Sequence, residues 1–402
     1  MARLWWGYPH FPCDEHNWAF IAQQMDDGVE WPISGPLFFF LIREVAQIWS
    51  LTYAKSLAVV GTLSVPIALV GIMTAYRLLG VVQPGLSLML LCTSTYFWAP
   101  LLESRPQQLG QILVMMGIAV GWRMLRSNRC TLWLWLGWSG ILLLTTCVHI
   151  LSAGVLMALV GGNALVLYVL RMTRPGVLVC MALAAIPAVA VLTFPNGPYT
   201  SMLQDIYRNH ILWSNVSKII LPATAATAVM VLIVFWLSRQ PLHQPLEIAF
   251  RLFSASPRYW LTGVAIVAVL IMVAQATLLP IESWQPYAGS IALFLFAQSG
   301  NLFFFLMLLL GFGCACQEYR HRRHVLQWQT LTVMLLCICT LSVLALLASL
   351  FLLNTNWMLR LISYGIFIVA PFAAAGLSRS RNWLLPLLCL VFTGVSLIAT
   401  LR

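Results

Sequence analysis

Apolar runs of bilayer length, separated by short polar joints, fill most of the chain. They lie near residues 55–78, 82–100, 109–122, 131–148, 153–170, 177–194, 219–237, 259–279, 289–311, 330–353, 357–377 and 382–400. A helix needs roughly 20 mostly apolar residues to cross the hydrocarbon core, so the pattern predicts about twelve transmembrane helices. The run at 109–122 is short and calls for a tilted or shifted helix. Barrel strands would alternate polar and apolar positions, and lipid cannot satisfy free backbone groups. The expected fold class is therefore an all-α polytopic membrane protein.

Residues 1–54 break the pattern. Pro36 to Ile42 is apolar, but Arg43-Glu44-Val45-Ala46-Gln47-Ile48-Trp49 follows at once. That stretch is too short and too charged to span. It reads as an amphipathic helix in the interface plane, apolar side down, with Trp49 at headgroup depth. The expected organisation is an extracytoplasmic acidic loop with an interfacial helix over 1–54, then a transmembrane helical domain over 55–402. Two other outer loops stand out, one at 102–108 and a longer one at about 195–218.

Composition sharpens this picture. The 402 residues are 61% hydrophobic and 8% charged, whereas soluble domains carry about 25% charged residues. The formal net charge of +11 suggests nucleic acid until its distribution is read. With residues 1–54 outside, the inner loops collect Arg77, Arg123, Arg126, Arg129, Arg171, Arg174, Arg239, Arg251, Arg258, Arg320, Arg322, Arg323, Arg379 and Arg381. This is the positive-inside pattern: it sets orientation and argues against a nucleic-acid partner. The ten cysteines include Cys314-Ala-Cys316 and Cys337-Ile-Cys339 but no paired Cys-x-x-Cys motif. Most lie in apolar runs, where cysteine is a small buried hydrophobe. Asn215-Val216-Ser217 fits a glycosylation sequon, a tripeptide common by chance.

Of the eleven carboxylates, five fall between Asp14 and Glu30, which makes this segment the first place to look for chemistry. Asp14 and Glu15 are adjacent and point in different directions on either a helix or a strand. One can therefore face a reacting group as general base while the other orients it or holds a cation; the plainer reading is two solvated loop residues. Asp26, Asp27 and Glu30 are weaker candidates, and Asp27-Gly28 is turn chemistry. The outer cations Arg105, Arg208, His210, Lys218 and Arg360 supply the charge that a lipid phosphate needs. Arg360 opens a span, where an ionisable group is either functional or snorkels to the interface. His149, at the outer end of another span, reads equally as a support residue or a packed core histidine.

Together these residues resemble a family. Asp14-Glu15, Trp18, Asp27-Gly28 and Pro32-x-x-Gly35-Pro36-Leu37 look like the first outer loop of the glycosyltransferase C superfamily. That superfamily includes protein O-mannosyltransferases and lipid A aminoarabinose transferases. Ser104-Arg105-Pro106, then Asp205-Ile206-Tyr207-Arg208-Asn209-His210, then Arg360 with Tyr364 and Pro371, resemble later motifs in the family's order. The basic residue that usually directly precedes Tyr in the late motif is displaced, because Arg360 lies four positions from Tyr364. Members usually carry a transmembrane helix just before the acidic loop, so the resemblance leads us to expect one preceding residue 1.

The resemblance implies an integral membrane glycosyltransferase with a polyprenyl-phosphate sugar as donor. Transfer would take place on the extracytoplasmic face of a membrane such as the bacterial inner membrane, with inversion at the anomeric carbon. Asp14 is the implied base and Glu15 its partner, with a divalent cation (Mg or Mn) as the candidate cofactor. Arg105, Arg208 and Arg360, with Lys218 and His210, are implied donor-phosphate anchors. His16, Asn17, Trp18, Asp27, His149 and Tyr364 are candidate acceptor or support residues. The implied partners are the lipid-linked donor, membrane lipids and a lipid, glycan or protein acceptor. Two alternatives are a flippase or transporter of a lipid-linked saccharide and a polysaccharide polymerase or ligase. A transporter would place ionisable residues near the bilayer midplane, and these helix centres are nearly free of charge.

Overall fold

The computed structural model describes residues 15–26, 35–81, 83–102, 106–127, 129–169, 173–193, 298–308, 337, 355–377 and 384–401. Nearly all of these are helical, and no strand occurs among them. In chain order the helices are α1 (Glu15–Asp26), α2 (Pro36–Ile48), α3 (Tyr53–Leu79), α4 (Pro84–Cys92), α5 (Thr95–Leu102), α6 (Pro106–Ser127), α7 (Leu132–Val148), α8 (Ile150–Val169), α9 (Pro175–Ala184) and α10 (Ile186–Thr193). After them come α11 (Gln298–Leu308), α12 (Thr355–Leu377) and α13 (Leu384–Leu401). Among the described residues, α3, α6 and the α9–α10 run Pro175–Thr193 are long and apolar enough to cross a membrane. The expected spans near 219–237 and 259–279 lie outside the described residues, as does that near 330–353 apart from Cys337.

Side-chain exposure on α3 fits lipid as the surrounding solvent. Leu63, Ile67 and Val70 form an exposed stripe, while Leu57, Ser64, Ala68 and Ile72 are buried on the other side. A water-soluble helix turns its apolar stripe inward and a polar face outward. Here both faces are mostly apolar, and the exposed Thr62 hydroxyl is satisfied within the helix by Ala58 O at 2.7 Å.

Packing divides the chain into two compact units, the first holding α1–α3 and α6–α10, the second α4, α11, α13 and α12 from Ser363 onward. In the first unit α6 packs against α3, α7 and α8. Its contact with α8 is close because the facing positions on α6 are glycines. A Cβ at Gly110, Gly117 or Gly121 would lie 2.1 Å from Ser152 Oγ, 2.6 Å from Leu156 Cδ1 or 2.7 Å from Val160 Cγ1. Both series rise together, so α6 and α8 run parallel here.

The amino-terminal helices dock on this frame. Ala22, Phe38, Phe39, Ile42, Leu57 and Val60 form a buried cluster bordered by Trp18 and Leu109. Burying a phenylalanine or isoleucine contributes about 1.5–3 kcal/mol, which anchors α1 and α2 to α3. The amphipathic helix expected around residues 36–48 is present as α2. Its apolar side is divided: Phe38, Phe39, Ile42 and Ala46 face protein, while Phe40, Leu41, Ile48 and Trp49 stay exposed.

Among the described residues two of the apolar runs are interrupted, each for an identifiable reason. After α9, the Ala185 amide turns to Ala182 O at 3.0 Å, and Pro187 has no amide to offer. Met181 O thereby loses its helical donor and accepts the Trp138 indole instead at 3.4 Å, beside Trp135 donating to Cys180 O at 3.1 Å. In the second unit the run at 82–100 splits into α4 and α5 around Thr93 and Ser94. Asn301 Oδ1 accepts from Ser94 Oγ at 2.8 Å and from the Thr95 amide at 2.9 Å. Its Nδ2 donates to Thr95 Oγ1 at 2.6 Å and to Gln298 Oε1 at 2.8 Å. Trp98 Nε1 satisfies Cys92 O at 2.6 Å, and Ser396 Oγ donates to Thr93 O at 2.5 Å. Side chains thus replace the hydrogen bonds that the break removes, as lipid requires.

Candidate functional site

The polar residues of the first unit gather where α7 gives way to α8. One extended residue, His149 (φ −161°, ψ 107°), joins the two helices, and its amide closes α7 on Thr145 O at 2.8 Å. Its side chain then caps α8: Nδ1 accepts from the Ser152 amide at 3.3 Å and lies 2.8 Å from Ser152 Oγ. An acceptor at the residue before a helix satisfies one of the orphan amides of its first turn. His149 is only 8% exposed, so this polar ring is a built part of the corner.

Two other segments close on that corner. Gly35, the N-cap of α2, has φ +138°, and a Cβ there would sit 1.6 Å from Val148 O. Only glycine allows both that backbone angle and that approach. The start of α2 at Gly35 is therefore seated directly on the α7–α8 joint. The start of α6 closes on it as well, with Gly110, just past the first turn, facing Ser152 Oγ and His149 Cβ. Pro106 opens this helix, a position where a missing amide costs nothing. Gln107, Gln108 and Gln111 follow, all buried, and Gln108 donates to Ser64 Oγ of α3.

The amino ends of α2, α6 and α8 thus meet around His149. Each helix N-terminus carries roughly +0.5 of an elementary charge, and Gly110 lies about 6 Å along the axis from Pro106. The carboxyl end of α7 brings the opposite partial charge to the same corner, so the excess of amino ends sets the sign of the field there.

The described residues include only some of the sequence-predicted site. Asp14, Asp27, Arg105, Arg208, His210 and Lys218 lie outside them. Glu15, His16 and Asn17 form the first turn of α1, where acidic residues favour the helix dipole. Trp18 packs on Phe39 with ring centroids 5.6 Å apart, and its buried indole N–H has no hydrogen-bond partner among the described residues. Arg360 and Tyr364 stand one turn apart on α12, with Tyr364 buried in the second unit. Among the described residues, the predicted His149 is met by another motif position, Gly35, and by the helix that follows Arg105.

Sequence reading missed Ser152, Gly110 and the buried role of the glutamines. It placed 102–108 in a loop, whereas Pro106–Gln108 begin α6. Proline followed by glutamines on one helical face is the signal that was present. For the candidate Mg or Mn ion, no group of three His, Cys, Asp or Glu side chains comes together among the described residues. Asp14 and the side chain of Glu15 are not part of that set.

Compared with known protein families, curated proteins and solved structures, the chain matches none.

Proposed function

We propose that this chain is an integral membrane glycosyltransferase that moves a sugar from a polyprenyl-phosphate donor to an acceptor on the extracytoplasmic face. The observation that supports this most is the seating of Gly35 on the His149 joint. It brings one position of the amino-terminal motif, Gly35, to the corner where the helix that follows Ser104-Arg105 also begins. Acid from one segment and cation from another are what displacement of a sugar from a lipid phosphate requires.

In this reading Asp14 takes the proton from the acceptor hydroxyl or amine as it attacks the anomeric carbon. The anomeric carbon–oxygen bond to phosphate breaks, and the polyprenyl phosphate leaves with that oxygen and its negative charge. Direct displacement inverts the anomeric configuration. Glu15 orients Asp14 or holds a cation, with no step assigned to a metal. Arg105, Arg208 and Arg360, with Lys218 and His210, balance the leaving phosphate. His16, Asn17, Trp18 and Asp27 border the acceptor side. Helix N-termini add a fixed positive field that needs no reorganisation during the reaction.

The test compares envelope lipids and glycans by mass spectrometry in cells with the gene, without it, and with Asp14→Asn. Loss of one sugar mass in both the deletion and the variant, with the variant still inserted in the membrane, is the expected result. Full transfer by Asp14→Asn removes Asp14 from the mechanism. The flippase reading draws support from the α4–α5 interruption, since transporters build sites from discontinuous helices. Transport of labelled lipid into vesicles with no glycosidic product would favour it.

A further inference from the structure

At the end of α7 away from His149, short hydrogen bonds bring two cysteines together. The linker from α6 is held by Ser127, whose Oγ accepts from the Arg129 amide at 3.3 Å. Cys130 follows, and Thr131 caps α7 by accepting the Leu134 amide on Oγ1 at 3.5 Å. The Trp135 amide donates to Thr131 O at 2.9 Å, so Trp135 stands one turn along from Thr131. Its indole donates to Cys180 O on α9 at 3.1 Å. These links carry α9 to the start of α7, and there the Cys130 thiol lies within hydrogen-bonding reach of the Cys180 thiol. Both thiols are free and half-buried.

We propose that Cys130 and Cys180 form a modification site, a thiol pair that a small-molecule disulfide oxidises to a bond between the α6–α7 linker and α9. The pair stands whether or not the transferase reading does. One thiolate of the pair attacks a sulfur of the small disulfide and expels a thiolate. The other then attacks the protein sulfur of that mixed disulfide and expels the second. The pair gives up two electrons and two protons, which the small disulfide takes up as two thiols. Desolvation first, then the Cys180 thiol, pushes Cys130 up to about 11, so little thiolate is present near neutral pH and closing is slow. Arg123, Arg126, Arg129 and Arg174 flank the two cysteines in sequence, which in the positive-inside reading turns the pair towards the cytoplasm. Thiols there rest reduced, and a bond formed only under sustained oxidation is a reversible clamp.

The experiment uses the full chain in lipid nanodiscs, purified in reductant and then held with excess oxidised glutathione at mildly alkaline pH. Remaining thiols are blocked with N-ethylmaleimide, and the digested protein is read by mass spectrometry. The expected product is a peptide pair joined through Cys130 and Cys180, which dithiothreitol separates again. In Cys180→Ser, Cys130 should stop at the mixed disulfide with glutathione, and Cys180 should do the same in Cys130→Ser. The absence of a linked peptide, glutathione adducts persisting on both wild-type cysteines, or Cys130 joined mainly to another of the ten cysteines overturns the proposal. The wild-type digest decides even where a serine variant fails to fold.

The clamp has its own readout. The bond closes a loop of about 50 residues, so oxidation should raise the unfolding midpoint of the wild-type protein by several degrees and leave that of Cys130→Ser where it was. A linked protein whose midpoint does not move overturns the clamping role.

Discussion

Gly110→Ala places a methyl group where α6 meets the His149 corner, and its cost can be worked from distances. The new Cβ would lie 2.1 Å from Ser152 Oγ, 2.8 Å from Ser152 Cβ and 3.1 Å from His149 Cβ, against ordinary contact from 3.4 Å upward. Either the two helices part by roughly 1 Å, or Ser152 rotates away from His149; overpacking of this kind costs about 1–3 kcal/mol. Rotation of Ser152 adds about 1 kcal/mol for the lost hydrogen bond. Replacing glycine inside a helix returns about 0.5–1 kcal/mol, so the net expectation is destabilisation of roughly 1–3 kcal/mol. Gly154→Ala on α8 is the control, because a Cβ there meets nothing within 4 Å; that variant should be neutral or slightly more stable. The assay is equilibrium unfolding in mixed detergent–lipid micelles, with Gly110→Ala/Ser152→Ala as the third variant. Removing Oγ takes away the nearest clash but leaves Cβ, so the double variant should recover part of the loss. A Gly110→Ala protein as stable as Gly154→Ala, or a double variant with no recovery, refutes the close α6–α8 approach.

Other expectations follow from the same reasoning. Asn301→Ala leaves the Ser94 hydroxyl and the Thr95 amide without their acceptor; at about 1–3 kcal/mol per unsatisfied buried group, the unfolding midpoint should fall clearly, and an unchanged midpoint would mean that the α4–α5 break needs no side-chain support. Trp138→Phe keeps an aromatic ring but strands Met181 O, so a loss of roughly 1–3 kcal/mol is expected, measured by the same unfolding assay against Trp133→Phe at an exposed position. The Cys130 thiol, between α6 and α7, is pushed up to about 11 by desolvation first and then by the Cys180 thiol beside it. A raised thiol value means less thiolate at any given pH, so alkylation of Cys130 by iodoacetamide should still be accelerating between pH 9 and pH 11. A rate that levels off near the ordinary value of 9.0 would contradict this environment.

Hydropathy located the helices of the described regions well because each apolar run is a local property of the chain. It failed where the deciding partner is remote. Nothing between residues 82 and 100 announces a break at Thr93 and Ser94, since the acceptor that stabilises it is Asn301, some 200 residues later. The break after Ala184 was legible in principle, because Pro187 removes a donor whatever its surroundings. The third run looked short for a related reason. Gln107, Gln108 and Gln111 lower its apparent hydropathy, yet they are buried against other helices and belong to α6. At the candidate site, His149 was visible as a polar residue at the end of a span. Ser152 and Gly110 were not, because a serine and a glycine in apolar helices carry no signal until the opposite helix is known.

A polar side chain inside a membrane domain must be satisfied somewhere, and how it is satisfied separates scaffold from site. Asn301 donates twice and accepts twice within its own unit, so its full hydrogen-bonding capacity goes into holding α4, α5 and α11 together. A ligand would have to displace one of those bonds and meet the cost of the group left behind. The His149 corner differs in kind. Its histidine caps α8 through Nδ1, and the amino ends of α2, α6 and α8 meet the carboxyl end of α7 at a point where three separated segments converge. Structural economy alone does not require a titratable ring there, since serine, threonine or asparagine would cap α8 as well. The choice of histidine at that cap therefore marks the corner, more than the amide network of the second unit, as the place where substitution tests the proposed chemistry.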